Sequence, residues 1–394
     1  NRPYASMRDA FLLSVRLHVR WFIEAFGVEG RRAAPLGPRR LVVLLILFPL
    51  FLLLQAIHWL GFLLDELFFS GWRRVKIHQP LFISGVPRSG TTFLHRTLAR
   101  DTASFTTFHT WEALFAPSVS ERKLFGMFAA LDRLIGKPLQ RLGDALTRRV
   151  TGGFAHIHEV GLQAAEEDYL TLLPVGGCFI LVLAFPASES LWLLGRLREL
   201  PDCERSVLLN FYRSCLQKHL YVNGRGRRLL SKNAAFGSWL PELAESFDDS
   251  RFLVCLREPG GALRSQLSSI RNGLVFFGTT AAADLVTHEF QVSLEQVYHQ
   301  LREQRRCLPA ARFAVVDHSQ LRERAQTAIA TALRQLDIPL TDVLQRILED
   351  AAREARDYGS GSVHVHSPLS EAMAPQPDLV TIYREILEPP ADSL

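Results

Sequence analysis

Leu81 to Leu98, LFISGVPRSGTTFLHRTL, limits what this chain can fold into more than any other stretch. The apolar run Leu81, Phe82, Ile83 predicts a strand, Gly85 breaks it into a turn, and Phe93, Leu94, Thr97 and Leu98 resume at helical spacing. A strand, a glycine turn and a helix in that order make a phosphate cradle. Gly85 and Gly90 let the backbone turn tightly so that its N–H groups converge, and the positive end of the helix dipole faces the concavity. Such a unit belongs to a parallel α/β sheet flanked by helices.

Gly85 and Gly90 have the spacing of a nucleoside-triphosphate loop, but Thr91 stands where that loop carries lysine, with Thr92 in the magnesium-ligand position. Arg88 supplies instead a planar, permanently charged fork suited to a phosphate or sulfonate oxygen pair. On the residues PRSGTT between strand and helix, the segment resembles the 5′-phosphosulfate loop of sulfotransferases, in particular the tyrosylprotein sulfotransferases and the bacterial enzymes related to them. The resemblance implies a P-loop-like sulfotransferase fold and 3′-phosphoadenosine 5′-phosphosulfate (PAPS) as sulfonate donor. It places Arg88, Ser89, Gly90, Thr91 and Thr92 around the 5′-phosphosulfate and calls for no metal.

The second half of the site follows the same resemblance. Leu229 and Leu230 lead into Ser231, Lys232 and Asn233, similar to the Lys-Asn-Pro strand end of the family, with Ala234 in place of proline. Lys232 is thereby matched to the lysine that stabilises the leaving phosphate. Arg251 to Leu256, RFLVCL, reads as a buried parallel strand ending at Arg257. The family places an arginine at this strand end and a serine eight positions on around the 3′-phosphate, and Arg257 with Ser265 reproduces that offset. Phe313 to Val316 reads as a further strand, followed by His318 where the family commonly has tyrosine.

For the general base the sequence offers three candidates. Glu112 is the carry-over from the tyrosylprotein enzymes, past a strand at Ser104 to Phe108, though its distance from Arg88 is a few residues longer. His109 competes at the same strand end, with an imidazole that titrates nearer neutrality. Glu167 lies in the cluster Glu166, Glu167, Asp168, which resembles an acidic element of many bacterial sulfotransferases; such a run is otherwise a solvated face. His158 is a candidate partner for that cluster.

Residues 1–70 read as membrane-associated helices and 71–394 as the sulfotransferase domain, with a cap region at about 113–200. Tyr4 to Val28 alternates apolar residues with Arg8, Arg16 and Arg20, an amphipathic helix with a basic face. Leu41 to Leu64 carries no Asp, Glu, Lys or Arg and would extend about 36 Å as a helix, enough to cross a bilayer. Pro49 predicts a kink or a re-entrant break. Arg31, Arg32, Arg39 and Arg40 before the segment and Arg73, Arg74 and Lys76 after it leave its orientation ambiguous. Because PAPS is made in the cytoplasm, the resemblance favours a monotopic anchor with both flanks, and the catalytic domain, on the cytoplasmic side of a bacterium, whereas a eukaryotic chain would face the Golgi lumen.

With 394 residues, 48% apolar and 22% charged, the chain is globular rather than disordered. Its net charge of +5 suits an anionic cofactor or an anionic membrane, and no nucleic-acid motif is present. The cysteines lack metal-ligand spacing, and Cys178 and Cys255 sit in apolar runs as buried free thiols. Tyr169 to Pro186 reads as buried cap, and Gly359 to His366 as a polar lid over the nucleotide. The function expected is sulfonate transfer to a hydroxyl or amine of a small-molecule or lipid acceptor at the membrane, with homo-oligomerisation left open. The alternatives are a nucleotide kinase, disfavoured by Thr91, and a non-catalytic membrane-bound nucleotide-binding scaffold, disfavoured by Arg88, Lys232 and Arg257.

Overall fold

A computed structural model describes residues 6–134, 163–224, 226–359 and 377–388. Its centre is a parallel five-stranded sheet in the order β2-β3-β1-β4-β5. The strands are β1 (Leu81–Gly85), β2 (Phe105–Thr106), β3 (Arg228–Lys232), β4 (Arg251–Leu256) and β5 (Phe313–Asp317). β1 pairs on one side with β3, Ile83 opposite Lys232, and on the other with β4, Gly85 opposite Cys255. The chain order therefore reverses at β1, and the crevice beyond its carboxyl end is where an open α/β sheet binds ligands.

Alternate residues of each strand feed opposite cores. Leu81, Ile83, Leu253, Cys255, Ala314 and Val316 pack with the helices Thr91–Ala99 and His318–Gln335. Phe82, Phe252, Val254 and Phe313 enter the larger cluster on the other face. Both faces are covered, which is why the strands read as continuous apolar runs rather than alternating ones. The strands expected at RFLVCL and near Phe313 are both present, and that near Ser104 is reduced to two residues.

The N-terminal helices belong to the same packing. Helix Met7–Phe26 begins at a Ser6–Asp9 capping box and places Leu13, Leu17 and fully buried Trp21 in the larger core. Trp21 stacks on Phe185 at 5.9 Å, and its indole Nε1 donates to Ser190 Oγ at 3.1 Å. The expected break at Pro49 does not occur. A 31-residue helix runs from Pro38 to Phe68, with one π turn at Val43–Leu47 directly before the proline. A wider turn accommodates a residue that cannot donate to the carbonyl four positions back, so the helix continues. Its buried side, Leu44, Phe48, Gln55, His58, Phe62 and Asp65, follows helical spacing along nearly the whole length.

Tyr169 to Pro186 is buried as expected, but as two short 3₁₀ segments, Asp168–Leu172 and Phe179–Leu183. All five cysteines are free, with Cys178, Cys215 and Cys255 buried. His158 and the Gly-Ser-rich stretch expected as a lid lie outside the described residues, apart from Gly359 at the end of helix Asp342–Gly359.

Candidate active site

The loop after β1 is held by backbone constraints that only particular residues meet. Gly85 has φ +132°, and a Cβ there would sit 2.0 Å from the Cys255 carbonyl oxygen of β4. Gly90, at φ +98°, ends the loop and starts the helix Thr91–Ala99, whose first-turn N–H groups have no intrahelical acceptor. Between them Arg88 adopts φ +63°, a left-handed conformation that costs a non-glycine residue about 1–2 kcal/mol. Its carbonyl oxygen accepts from Arg257 Nη1 at 2.9 Å, and its own Nε donates to Ser265 Oγ at 3.2 Å. Ser89 Oγ closes the turn on the Val86 carbonyl at 2.7 Å. Ser89 therefore shapes the loop from within, buried, while Arg88 and Thr92 are exposed.

Two stretches 160 and more residues apart in sequence are thus brought into direct contact. Arg257 and Ser265 close on the phosphate loop through Arg88. Tyr298 donates its hydroxyl to the Arg257 carbonyl, and Glu258 caps the helix Pro259–Phe277 by accepting from Gly260 N and Gly261 N at 2.9 and 2.7 Å. Burial lowers the pKa of Arg257, and the nearby charges of Arg88, Arg264 and Arg322 lower it further. A guanidinium destabilised by its neighbours in this way is a ready site for a multiply charged anion. The converging N–H groups and this cationic cluster fit both phosphate ends of a PAPS-like nucleotide.

These groups open onto one cavity of about 1520 Å³. Its lining includes the polar and loop residues Arg88, Gly90, Thr91, Thr92, Arg257 and Ser265 and the apolar or aromatic residues Tyr169, Phe179, Leu183, Ile270, Phe290 and Leu294. A single ligand pocket typically measures about 300–1,000 Å³, so there is room for donor and acceptor together. Glu167 also lines the cavity and is bonded to the ammonium of Lys232 at the end of β3. Burial raises the Glu167 carboxyl pKa, and Lys232 partly opposes that shift.

Residues 80–342 match the family model described as "Sulfotransferase family". The chain belongs to the sulfotransferase family. Among solved structures it is similar to sulfotransferase STF1 from Mycobacterium tuberculosis, at 18% identity, TM-score 0.63, covering 98% of this chain and 93% of that one. It is likewise similar to sulfotransferase STF9 from Mycobacterium avium, at 14% identity, TM-score 0.64, covering 98% and 97%. These likenesses place the whole described architecture, N-terminal helices included, within a known fold. No curated protein sequence matches the chain.

The sulfotransferase places its other two base candidates differently from Glu167. Glu112 is buried and already committed. One carboxylate oxygen accepts from His109 N at 2.9 Å and faces His109 Nδ1 at 3.2 Å, while the other accepts from Asn223 Nδ2 at 2.7 Å. Arg122 lies 3.7 Å away. Burial alone would raise its pKa; the His109 hydrogen bond together with the Arg122 charge outweighs that and holds it well below the carboxylate range. Such a carboxylate closes the first turn of the helix Thr110–Phe115 and is a poor proton acceptor. His109 is the N-cap of that helix, off the cavity lining.

Several residues that organise the site gave no readable signal in the sequence. Tyr212 donates to Asp168 Oδ2 at 2.8 Å and lies 3.0 Å from Ser231 Oγ, next to Lys232. Burial pushes the Asp168 carboxyl up to about 7. Behind Glu112, Arg122 Nη1 donates to His219 Nδ1 at 3.1 Å, which leaves Nε2–H to face Thr106 Oγ1 at 3.0 Å. His318 lines the cavity, so the departure from the family tyrosine falls at its surface. Arg322, one turn further along that helix, also lines the cavity and carried no signal in the sequence.

Proposed function

We propose that this sulfotransferase moves the sulfonate group of PAPS to a hydroxyl or amine of an amphiphilic acceptor at a membrane surface. The observation that carries the reading is the single cavity that joins the phosphate loop, the Arg257–Ser265 pair and Glu167 to an apolar wall. In this reading Arg88 and the N–H groups from Gly90 to Phe93 hold the 5′-phosphosulfate, and Arg257 with Ser265 holds the 3′-phosphate. Glu167 takes the proton of the acceptor as its oxygen or nitrogen bonds to sulfur. The bond from sulfur to the bridging oxygen breaks, and Lys232 stabilises the negative charge left on that phosphate. In-line displacement asks mainly for positioning and charge stabilisation, which this set of fixed donors supplies. Glu167 is preferred as base to Glu112 and His109 because it faces the cavity and its carboxyl is shifted towards neutrality.

The test is incubation of the purified full chain with radiolabelled PAPS and a lipid extract from its host. Label in the organic phase is expected. Label confined to peptide or soluble carbohydrate would overturn the amphiphilic acceptor, and absence of transfer together with absence of 3′-phosphoadenosine 5′-phosphate (PAP) binding would overturn the donor assignment.

A further inference from the structure

The apolar helix Pro38–Phe68 does not stand away from the protein. The second half of its inner stripe is tied to the domain by specific polar contacts. His58 Nδ1 lies 2.6 Å from Glu121 Oε1, and His58 Nε2 lies 3.2 Å from the Leu114 carbonyl. Asp65 accepts from Val119 N at 3.0 Å and from Ser120 N at 2.7 Å, and pairs with buried Lys218 at 3.0 Å. Gly61 lies so close to Ser118 that a Cβ would meet Ser118 Oγ at 2.4 Å. A helix crossing a bilayer alone would carry His58 and Asp65 into hydrocarbon without these partners.

The outer stripe is bare and apolar: Ile46, Leu50, Leu53, Ile57, Leu60 and Leu67 are all exposed. Two neighbours extend it sideways. Helix Met7–Phe26 packs alongside, with Phe11 edge-on to Trp59 at 5.3 Å and Phe22 stacked on Phe48 at 5.9 Å, and it exposes Phe11, Leu12, Val15, Val19 and Ile23. Helix Val119–Leu134, tied on the opposite side by His58 and Asp65, exposes Leu124, Met127, Phe128 and Leu131. An exposed apolar surface of this extent marks an interaction face. Exposed cations stand at both ends of the central helix: Arg31 and Arg32 before it and Arg39 in its first turn, then Arg73, Arg74 and Lys76 beyond it, with Lys123 of the neighbouring helix over Phe69.

We infer that these three helices form one platform that lies in the plane of a single anionic leaflet, central helix parallel to the surface. Both cation clusters then meet the same headgroup layer, an arrangement that a transmembrane orientation of the central helix would split between opposite sides. The inference deepens the proposed membrane association and rests on it. It also accounts for the ambiguous charge distribution around Leu41 to Leu64: both flanks are basic because both face the same lipid.

The test uses the full chain with vesicles of phosphatidylcholine containing phosphatidylglycerol, and PAP-induced thermal stabilisation as a control for the folded site. Binding is expected to weaken about fivefold for each platform cation removed, as in Arg74→Ala. Ile57→Glu with Phe128→Glu is expected to abolish vesicle binding while PAP stabilisation persists. Orientation is read in a Cys203→Ser, Cys307→Ser background carrying Arg31→Cys or Lys76→Cys. An impermeant maleimide added outside the vesicles is expected to label both positions. Protection of one until the vesicles are opened would overturn the in-plane orientation while leaving membrane association standing. No binding by a folded, PAP-stabilised protein would overturn both, and so would a dimer in solution that dissociates on Ile57→Glu.

Discussion

Glu167 and Lys232 come from stretches that share no sequence neighbourhood, and their contact sets a carboxylate of raised pKa at the cavity, which is why Glu167 is the proposed base. Because burial raises the Glu167 pKa, a base in that position must lose its proton before it works, so kcat/KM is expected to climb with pH through that raised value. Glu167→Gln should lower turnover about 10²- to 10⁴-fold and remove that limb, with PAP affinity unchanged by calorimetry. Asp168 makes a separate prediction about stability. Its carboxyl has a folded pKa of about 7 against 3.8 for the free group, so the folded state holds a proton that the unfolded chain releases. Stability should therefore decline as pH rises from about 4 to 7, by a few kcal/mol at most, and Asp168→Asn should flatten that decline in urea titrations. Gly85→Ala places a methyl group 2.0 Å from a backbone oxygen at φ +132°, and is expected to cost about 3 kcal/mol or more in the same measurement.

At the scale of elements, the phosphate loop, β4 and β5 were legible because each carries its own local pattern: a glycine turn, or an apolar run bounded by charge. The helix at Pro38–Phe68 was legible as apolar, but not in its placement. Gln55, His58 and Asp65 within or beside the apolar run were the available signal, since polar side chains at that spacing mark a face that needs partners. Asp65 is the critical one, for it caps the helix Val119–Leu134 and neutralises Lys218, which is enclosed by the Phe62 and Trp72 rings at 4.5 and 4.8 Å. Asp65→Ala leaves a buried ammonium without its carboxylate, and a loss of about 3–5 kcal/mol is expected in chemical denaturation.

For the whole molecule, the two halves of the proposed nucleotide site should behave as one binding unit. PAP at a hundredfold excess over its Kd is expected to stabilise the protein by about 2.7 kcal/mol, seen as a rise of a few degrees in Tm. Arg257→Ala should abolish that rise while leaving the unliganded Tm within a few degrees of the parent. A resemblance to the sulfotransferases singled out Arg257 and Ser265, while the sequence by itself determined the parallel α/β class, the glycine turn after β1 and the abundance of apolar residues near the N-terminus. Those features depend on residue type and short-range spacing, which a linear text preserves. Only the tertiary structure decided that Glu112 is held by His109, Asn223 and Arg122 while Glu167 meets Lys232 at the cavity. It also decided that the apolar helix lies against the domain rather than apart from it. Both outcomes turn on which buried polar groups find partners across long stretches of chain, and the free energy of an ionised side chain is set by those partners rather than by its neighbours in sequence.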